Sequence, residues 1–223
     1  MISEFGELLT AGAAFLLTHT IPAIRPLRLR LTEWLGVKPY IILYSLLSLA
    51  VLGWMGLAYS RAPYEELWLI TVPSRFFPIL LMPLAGVLFV CAVSTPNPLS
   101  IGIGAKGFDP EKPGILRLTR HPLVWAFILW SGSHIPPNGD VASLLMFGLF
   151  FFLAMAGPFI LDVKNKKSLG LDKWRRLAAN TSNWSFIPAL REIGPWRIFA
   201  GLLIYGMVLQ FHLVLFGVDP LSW

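Results

Sequence analysis

The sequence predicts an all-α, polytopic membrane helical bundle of about six transmembrane helices, a single domain over residues 1–223. Three observations lead there. Apolar residues make up 56% of the chain and charged residues only 13%, whereas soluble domains carry roughly a quarter charged residues. The apolar residues gather into six segments near the length that crosses a bilayer. The basic residues gather into three of the loops between them. Nine Trp and sixteen Phe agree, because aromatic side chains favour the bilayer and its edges.

The first segment covers residues 5–24 and the second 40–59. The third covers 76–93, and the fourth, short for a span, 121–136. The fifth covers 140–161 and the sixth 196–217. A helix needs about 20 residues to cross about 30 Å of hydrocarbon. Pro136-Pro137-Asn138-Gly139 has the composition of a tight turn joining the fourth and fifth segments, and Asn138 or Asp140 would cap the fifth helix. Prolines 22, 78, 83 and 158 are expected to kink or end helices, tolerated where a neighbouring helix takes up the freed carbonyl.

The loops sort by charge. Residues 25–39, 94–120 and 162–197 hold every Lys and Arg except Arg61 and Arg75. By the positive-inside rule these three loops face the cytoplasm, and both termini lie outside. The N-terminus lacks a basic region and a small-residue cleavage site, so no removable signal peptide is expected. Within the third loop, Leu169, Leu171, Trp174, Leu177 and Ala178 alternate with Lys173, Arg175 and Arg176. This reads as a short amphipathic helix, lying in the inner interface or simply solvated. The net charge of +6 comes from loop residues that set orientation, and no nucleic-acid partner is expected. The single cysteine, Cys91, excludes an internal disulfide and a Cys-based metal site.

The candidates for chemistry are the four histidines, His19, His121, His134 and His212, which lie in or beside apolar segments and either ligate or fill satisfied structural roles. An ionisable side chain at membrane depth marks a site by default. Two neutral imidazoles from different helices can hold a haem without a covalent motif. The chain has no Cys-x-x-Cys-His, no His-Glu-x-x-His and no phosphate-binding glycine loop, which excludes covalent haem and argues against a zinc protease or nucleotide site. His121 and His134 are about 140° apart around one helix and about 20 Å apart along it, too far to share a small ligand. Depth favours His134 with His212, and leaves His134 with His19 open. Ser131, one turn before His134, orients the imidazole or bonds its own backbone. Arg25, near His19, meets a propionate or a lipid phosphate, or only fixes topology.

Several of these residues carry a family resemblance. They are His19 with Arg25-Pro26; Tyr40 and Leu43-Tyr44-Ser45-Leu46-Leu47-Ser48-Leu49; and Arg120-His121-Pro122 with Trp130 and His134. Asn138-Gly139-Asp140, Ser143-Leu144-Leu145 with Phe147-Gly148, Thr181-Ser182-Asn183 with Pro188, and His212 with Phe216-Gly217-Val218 complete the pattern. It resembles the NnrU family of bacterial inner-membrane proteins over most of the chain, most specifically over residues 119–148. The family name implies a role in nitrite and nitric oxide metabolism, as in denitrification. The family is similar to zeta-carotene isomerase, a membrane haem b enzyme that isomerises a cis double bond of a polyene. That similarity implies haem b as cofactor, with His19 and His134 as axial ligands of its iron. The isomerase has a cysteine where this chain has Ser131. A hydroxyl is a poor substitute for a thiolate, so the ligand switch is not carried over. The resemblance implies membrane lipid and an apolar small molecule, or a nitric oxide system, as partners. A non-catalytic assembly or regulatory factor is the alternative class. A membrane methyltransferase of the isoprenylcysteine or phospholipid type, suggested by Arg-His-Pro, fits less well, because Trp125 holds the position of a required glycine and no Glu pair follows.

Overall fold

The structure, a computed structural model, describes residues 4–21, 24–185 and 190–222. Its regular elements are helices: α1 (Gly6–Thr20), α2 (Arg25–Leu35), α3 (Val37–Arg61), α4 (Val72–Ser94), α5 (Pro122–His134), α6 (Val141–Leu169), α7 (Leu171–Ala178), α8 (Leu190–Ile193) and α9 (Pro195–Phe216). Four of them, α3, α4, α6 and α9, are long and apolar enough to cross a membrane. The first and fourth apolar segments are also helical, but α1 has 15 residues and α5 has 13. At 1.5 Å per residue they rise about 22 and about 20 Å, short of the hydrocarbon thickness. The exposed apolar surface of α3 and α9 is extensive: Val214 is 81% exposed and Phe199 69%, and the one buried residue of α9 is Gly201. Such faces suit lipid and not water.

The fifth segment continues past its expected end near residue 161 to Leu169. Nothing breaks the helix before Gly170, whose φ of 81° favours glycine. Asp162, Lys164, Asn165 and Lys166 therefore ride on a helix and not in a loop. The expected amphipathic helix follows as α7.

Chain contacts define two compact units: Met1–Leu69 with Gly139–Leu149, and Ile70–Asn138 with Phe150–Trp223. In the first unit α1 packs on α3. Leu8, Ala11 and Phe15 recur at helical spacing and are buried, as are Val51, Met55 and Ala58 of α3. Asp140 caps α6, its Oδ1 accepting the Ser143 N–H at 2.9 Å, and the Ser143 hydroxyl meets Tyr59 Oη at 2.9 Å. The Leu67 N–H donates to the Gly139 carbonyl at 2.7 Å. A Cβ on Gly139 would lie 2.1 Å from the Trp68 carbonyl oxygen, so this crossing requires glycine.

In the second unit α4 packs on α5 and α9, around a core of Leu88, Cys91, Ile115, Leu116, Ala126 and Ile193. Pro78, Pro83 and Pro158 lie inside continuous helices and end none of them; Pro22 lies outside the described residues. Pro83 has no N–H for the Ile79 carbonyl one turn earlier. The Tyr205 hydroxyl of α9 donates to that carbonyl at 3.2 Å. Gly86 and Gly201 let α4 and α9 touch backbone to backbone: a Cβ on Gly201 would lie 2.6 Å from the Val87 nitrogen.

Candidate functional site

The charged residues of the second unit converge where α5 begins and α6 nears its end. His121 is the residue before α5, with its N–H donating to Thr119 Oγ1 at 3.1 Å. Its side chain is 0% exposed. Nε2–H donates to Asp162 Oδ1 at 3.2 Å, since a carboxylate can only accept. This fixes the neutral tautomer, so Nδ1 accepts from the Ser100 hydroxyl at 2.9 Å. Arg120 grips the same carboxylate through Nε and Nη2, a two-pronged geometry specific to guanidinium. Burial pushes the His121 imidazole below its ordinary pKa, although the Asp162 charge and hydrogen bond pull it upward.

Loop backbone is tied into this cluster. The Arg120 N–H donates to the Ser182 carbonyl at 2.7 Å, and Asn97 Nδ2 donates to the Arg120 carbonyl at 2.8 Å. Asn165 Nδ2 donates to the Leu99 carbonyl, and Trp125 Nε1 to that of Asn183 at 3.1 Å. Trp174 of α7 lies under Lys166 Nζ, 4.4 Å from its ring centre, and 5.6 Å from the Arg120 guanidinium carbon. The second and third basic loops are thus joined at one end of this unit.

The remaining histidines share a different arrangement. His19 Nδ1–H donates to the Phe15 carbonyl one turn back at 2.8 Å. Its ring lies against Phe15, 3.9 Å between centroids, with Tyr44 of α3 at its edge at 6.1 Å. It continues the stripe of Leu8, Ala11 and Phe15 that faces α3. In the second unit, His134 Nδ1–H donates to the Trp130 carbonyl at 2.6 Å, and His212 Nδ1–H to the Val218 carbonyl at 2.8 Å. In each, the unprotonated nitrogen is Nε2. An imidazole whose Nδ1–H is held by a carbonyl is oriented for metal ligation through Nε2. His121 does not fit that role, because both of its nitrogens are engaged.

The NnrU family model matches residues 7–220. This chain belongs to the NnrU family. No match was found among curated proteins or among solved structures.

Within this NnrU-family chain the expected site residues fall as follows. His19 belongs to the first unit and His134 to the second. Arg25 opens α2, and its side chain lies outside the described residues. Ser131 is buried, and its hydroxyl donates to the Phe127 carbonyl at 2.6 Å, the backbone alternative foreseen for it. Ser133 lies nearer the imidazole, 3.4 Å from His134 Nδ1. Ser133 also lines an apolar cleft of about 340 Å³ with Phe77, Leu81, Ile128, Gly132 and Phe151. Asp162, Ser100, Asn97 and Asn165 escape a reading by sequence. The available signal for Asp162 was a lone carboxylate ending a long apolar run, a charge that needs a partner.

Proposed function

We propose that this protein binds one b haem, with His19 and His134 as the axial nitrogen donors. It would reside in a bacterial inner membrane with the three basic loops in the cytoplasm, crossing it six times, the short α1 and α5 accommodated by local thinning of the bilayer. The observation that carries the cofactor reading is the tautomer of each imidazole: Nδ1–H is held by its own helix, which leaves Nε2 as the basic nitrogen. The family resemblance selects these two histidines over His212. When bound, ferrous haem would supply a Lewis acid or one-electron partner toward a polyene or a small gas. The chain's own part is to fix the two rings and keep water away. Phe15 and Tyr44 flank His19, and Trp130 and Phe150, 5.4 Å between centroids, lie beside His134.

The apolar cleft lined by Ser133 and Ile135, the sequence neighbours of His134, favours a hydrocarbon ligand, and with it cis-trans isomerisation of a polyene. Its volume is at the small end for ligand sites. A role in nitrite and nitric oxide metabolism rests on the family name.

Absorption spectra of the detergent-purified protein, oxidised and dithionite-reduced, test the cofactor. A Soret band with reduced α and β bands is expected, lost in both His19→Ala and His134→Ala and kept in His212→Ala. A featureless spectrum after expression with haem supplied overturns the reading and leaves a cofactor-free membrane factor. Altered polyene isomers in a carotenoid-producing host would separate the isomerase role from the nitric oxide role.

A further inference from the structure

We propose that Ser100 is a nucleophile, activated by His121, at a second site that cleaves long-chain acyl esters at the membrane surface. The inference is independent of haem. Ser100, His121 and Asp162 form one hydrogen-bonded chain, Oγ to Nδ1 at 2.9 Å and Nε2 to Oδ1 at 3.2 Å. The direction of that chain is set at its far end. Asp162 accepts from Nε2–H, so the Nδ1 lone pair faces the serine hydroxyl and can take its proton. Arg120 keeps the carboxylate in place, which makes Arg120 and Asp162 positioning residues.

The cluster is graded in exposure. His121 is fully buried, and Asp162 is 8% exposed. Ser100 is half-buried and reaches the surface. Its loop is preset on both sides. Leu99 N–H donates to Asn97 Oδ1 at 2.9 Å, and the Leu99 carbonyl accepts from Asn165. Beyond the serine, Gly102 sits on the end of α4, where a Cβ would lie 2.8 Å from the Ala92 carbonyl oxygen. The N–H groups of Ile101 and Gly102 have no acceptor among the described residues; they are available to a developing oxyanion.

The substrate class follows from the same loop. Ile101 and Ile103 are 54% and 58% exposed on either side of Gly102, and the loop joins the end of an apolar helix. Two exposed aliphatic side chains beside a nucleophile suit an acyl chain entering from lipid. In the reaction, Ser100 Oγ bonds to the ester carbonyl carbon and its proton passes to His121 Nδ1. The C–O bond to the alcohol breaks, and that proton leaves with the alcohol. Water then hydrolyses the acyl-serine, releasing the acid.

The test uses the full chain in detergent and an alkyl fluorophosphonate, whose phosphorus bonds to Oγ with loss of fluoride. Expected is one adduct, mapped by mass spectrometry to Ser100 and absent from Ser100→Ala. His121→Gln should slow labelling by about 10²-fold or more, the scale of lost base catalysis. Asp162→Asn should slow it while changing its pH profile, because an amide no longer selects the tautomer. A purely structural Asp162 would not change that profile. If the imidazole variant does not fold, Ser100→Cys keeps the test open. Its thiol should react with iodoacetamide at neutral pH about tenfold or more faster than free cysteine, through a thiolate paired with His121. Failure of the folded protein to label at Ser100, or labelling unchanged in Ser100→Ala, overturns the proposal.

Discussion

Arg120 holds Asp162 with two near-parallel hydrogen bonds, Nε to Oδ1 at 3.0 Å and Nη2 to Oδ2 at 2.9 Å, across 42 positions of sequence. The two side chains are 13% and 12% exposed. Removing one partner of such a pair leaves the other charge without compensation. Asp162→Ala is expected to lower stability by about 3 kcal/mol or more. The Arg120→Ala, Asp162→Ala double variant should lose clearly less than the sum of the singles. Unfolding midpoints in one detergent measure this, and strict additivity would count against coupling.

His121 makes stability depend on pH. Its folded pKa lies below the ordinary value because the ring is buried. Below about pH 6.5 the unfolded chain takes up a proton at this histidine before the folded chain does. Its contribution is therefore complete above that pH and declines as pH falls toward the folded pKa. Asp162 and Arg120 are the charged groups that face the ring. The unfolding midpoint should fall on acidification from about pH 7.5 to about 5.5, and His121→Gln should show a smaller fall.

Tyr205 and Pro83 form a compensating pair. Tyr205→Phe leaves the Ile79 carbonyl without its donor and should cost about 1 kcal/mol. In a Pro83→Ala background the restored N–H of residue 83 serves that carbonyl, so the same change should cost little. A double-mutant cycle reads the difference, and equal costs in both backgrounds would contradict the assignment.

Gly201 and Gly53 should respond oppositely to alanine. A Cβ at Gly201 meets the backbone of α4, whereas one at Gly53 meets nothing within 4 Å. Gly201→Ala should cost about 1–3 kcal/mol through overpacking. Gly53→Ala should be neutral or slightly stabilising, through helix propensity. Thermal unfolding of the two variants checks the contrast.

Much of the architecture was legible in the chain. Apolar runs long enough to span gave α3, α4, α6 and α9. The Asp140 cap and the helix at residues 171–178 followed from local chemistry alone. The prolines of α4 were harder. Local sterics say that Pro83 frees a carbonyl, but only the packing of α9 shows that Tyr205 accommodates it. Small residues do not declare their role in sequence: Gly53 and Gly201 both lie within apolar runs, and only Gly201 meets a neighbouring backbone.

The histidines divide along the same line. Their place in or beside apolar runs and their family pattern were written in the sequence, because both are properties of contiguous stretches of chain. The roles of the two ring nitrogens were decided by tertiary structure for His121, through Ser100 and Asp162, whereas the local helix directs the Nδ1–H of His19 and His134. Periodicity reports the face of one helix and says nothing of a carboxylate forty-two positions away. The sequence by itself therefore determined a helical membrane protein with histidines in or beside its apolar segments. Only the fold brought Ser100, Arg120, His121 and Asp162 together, because their hydrogen bonds depend on the meeting of two loops and two helices distant along the chain.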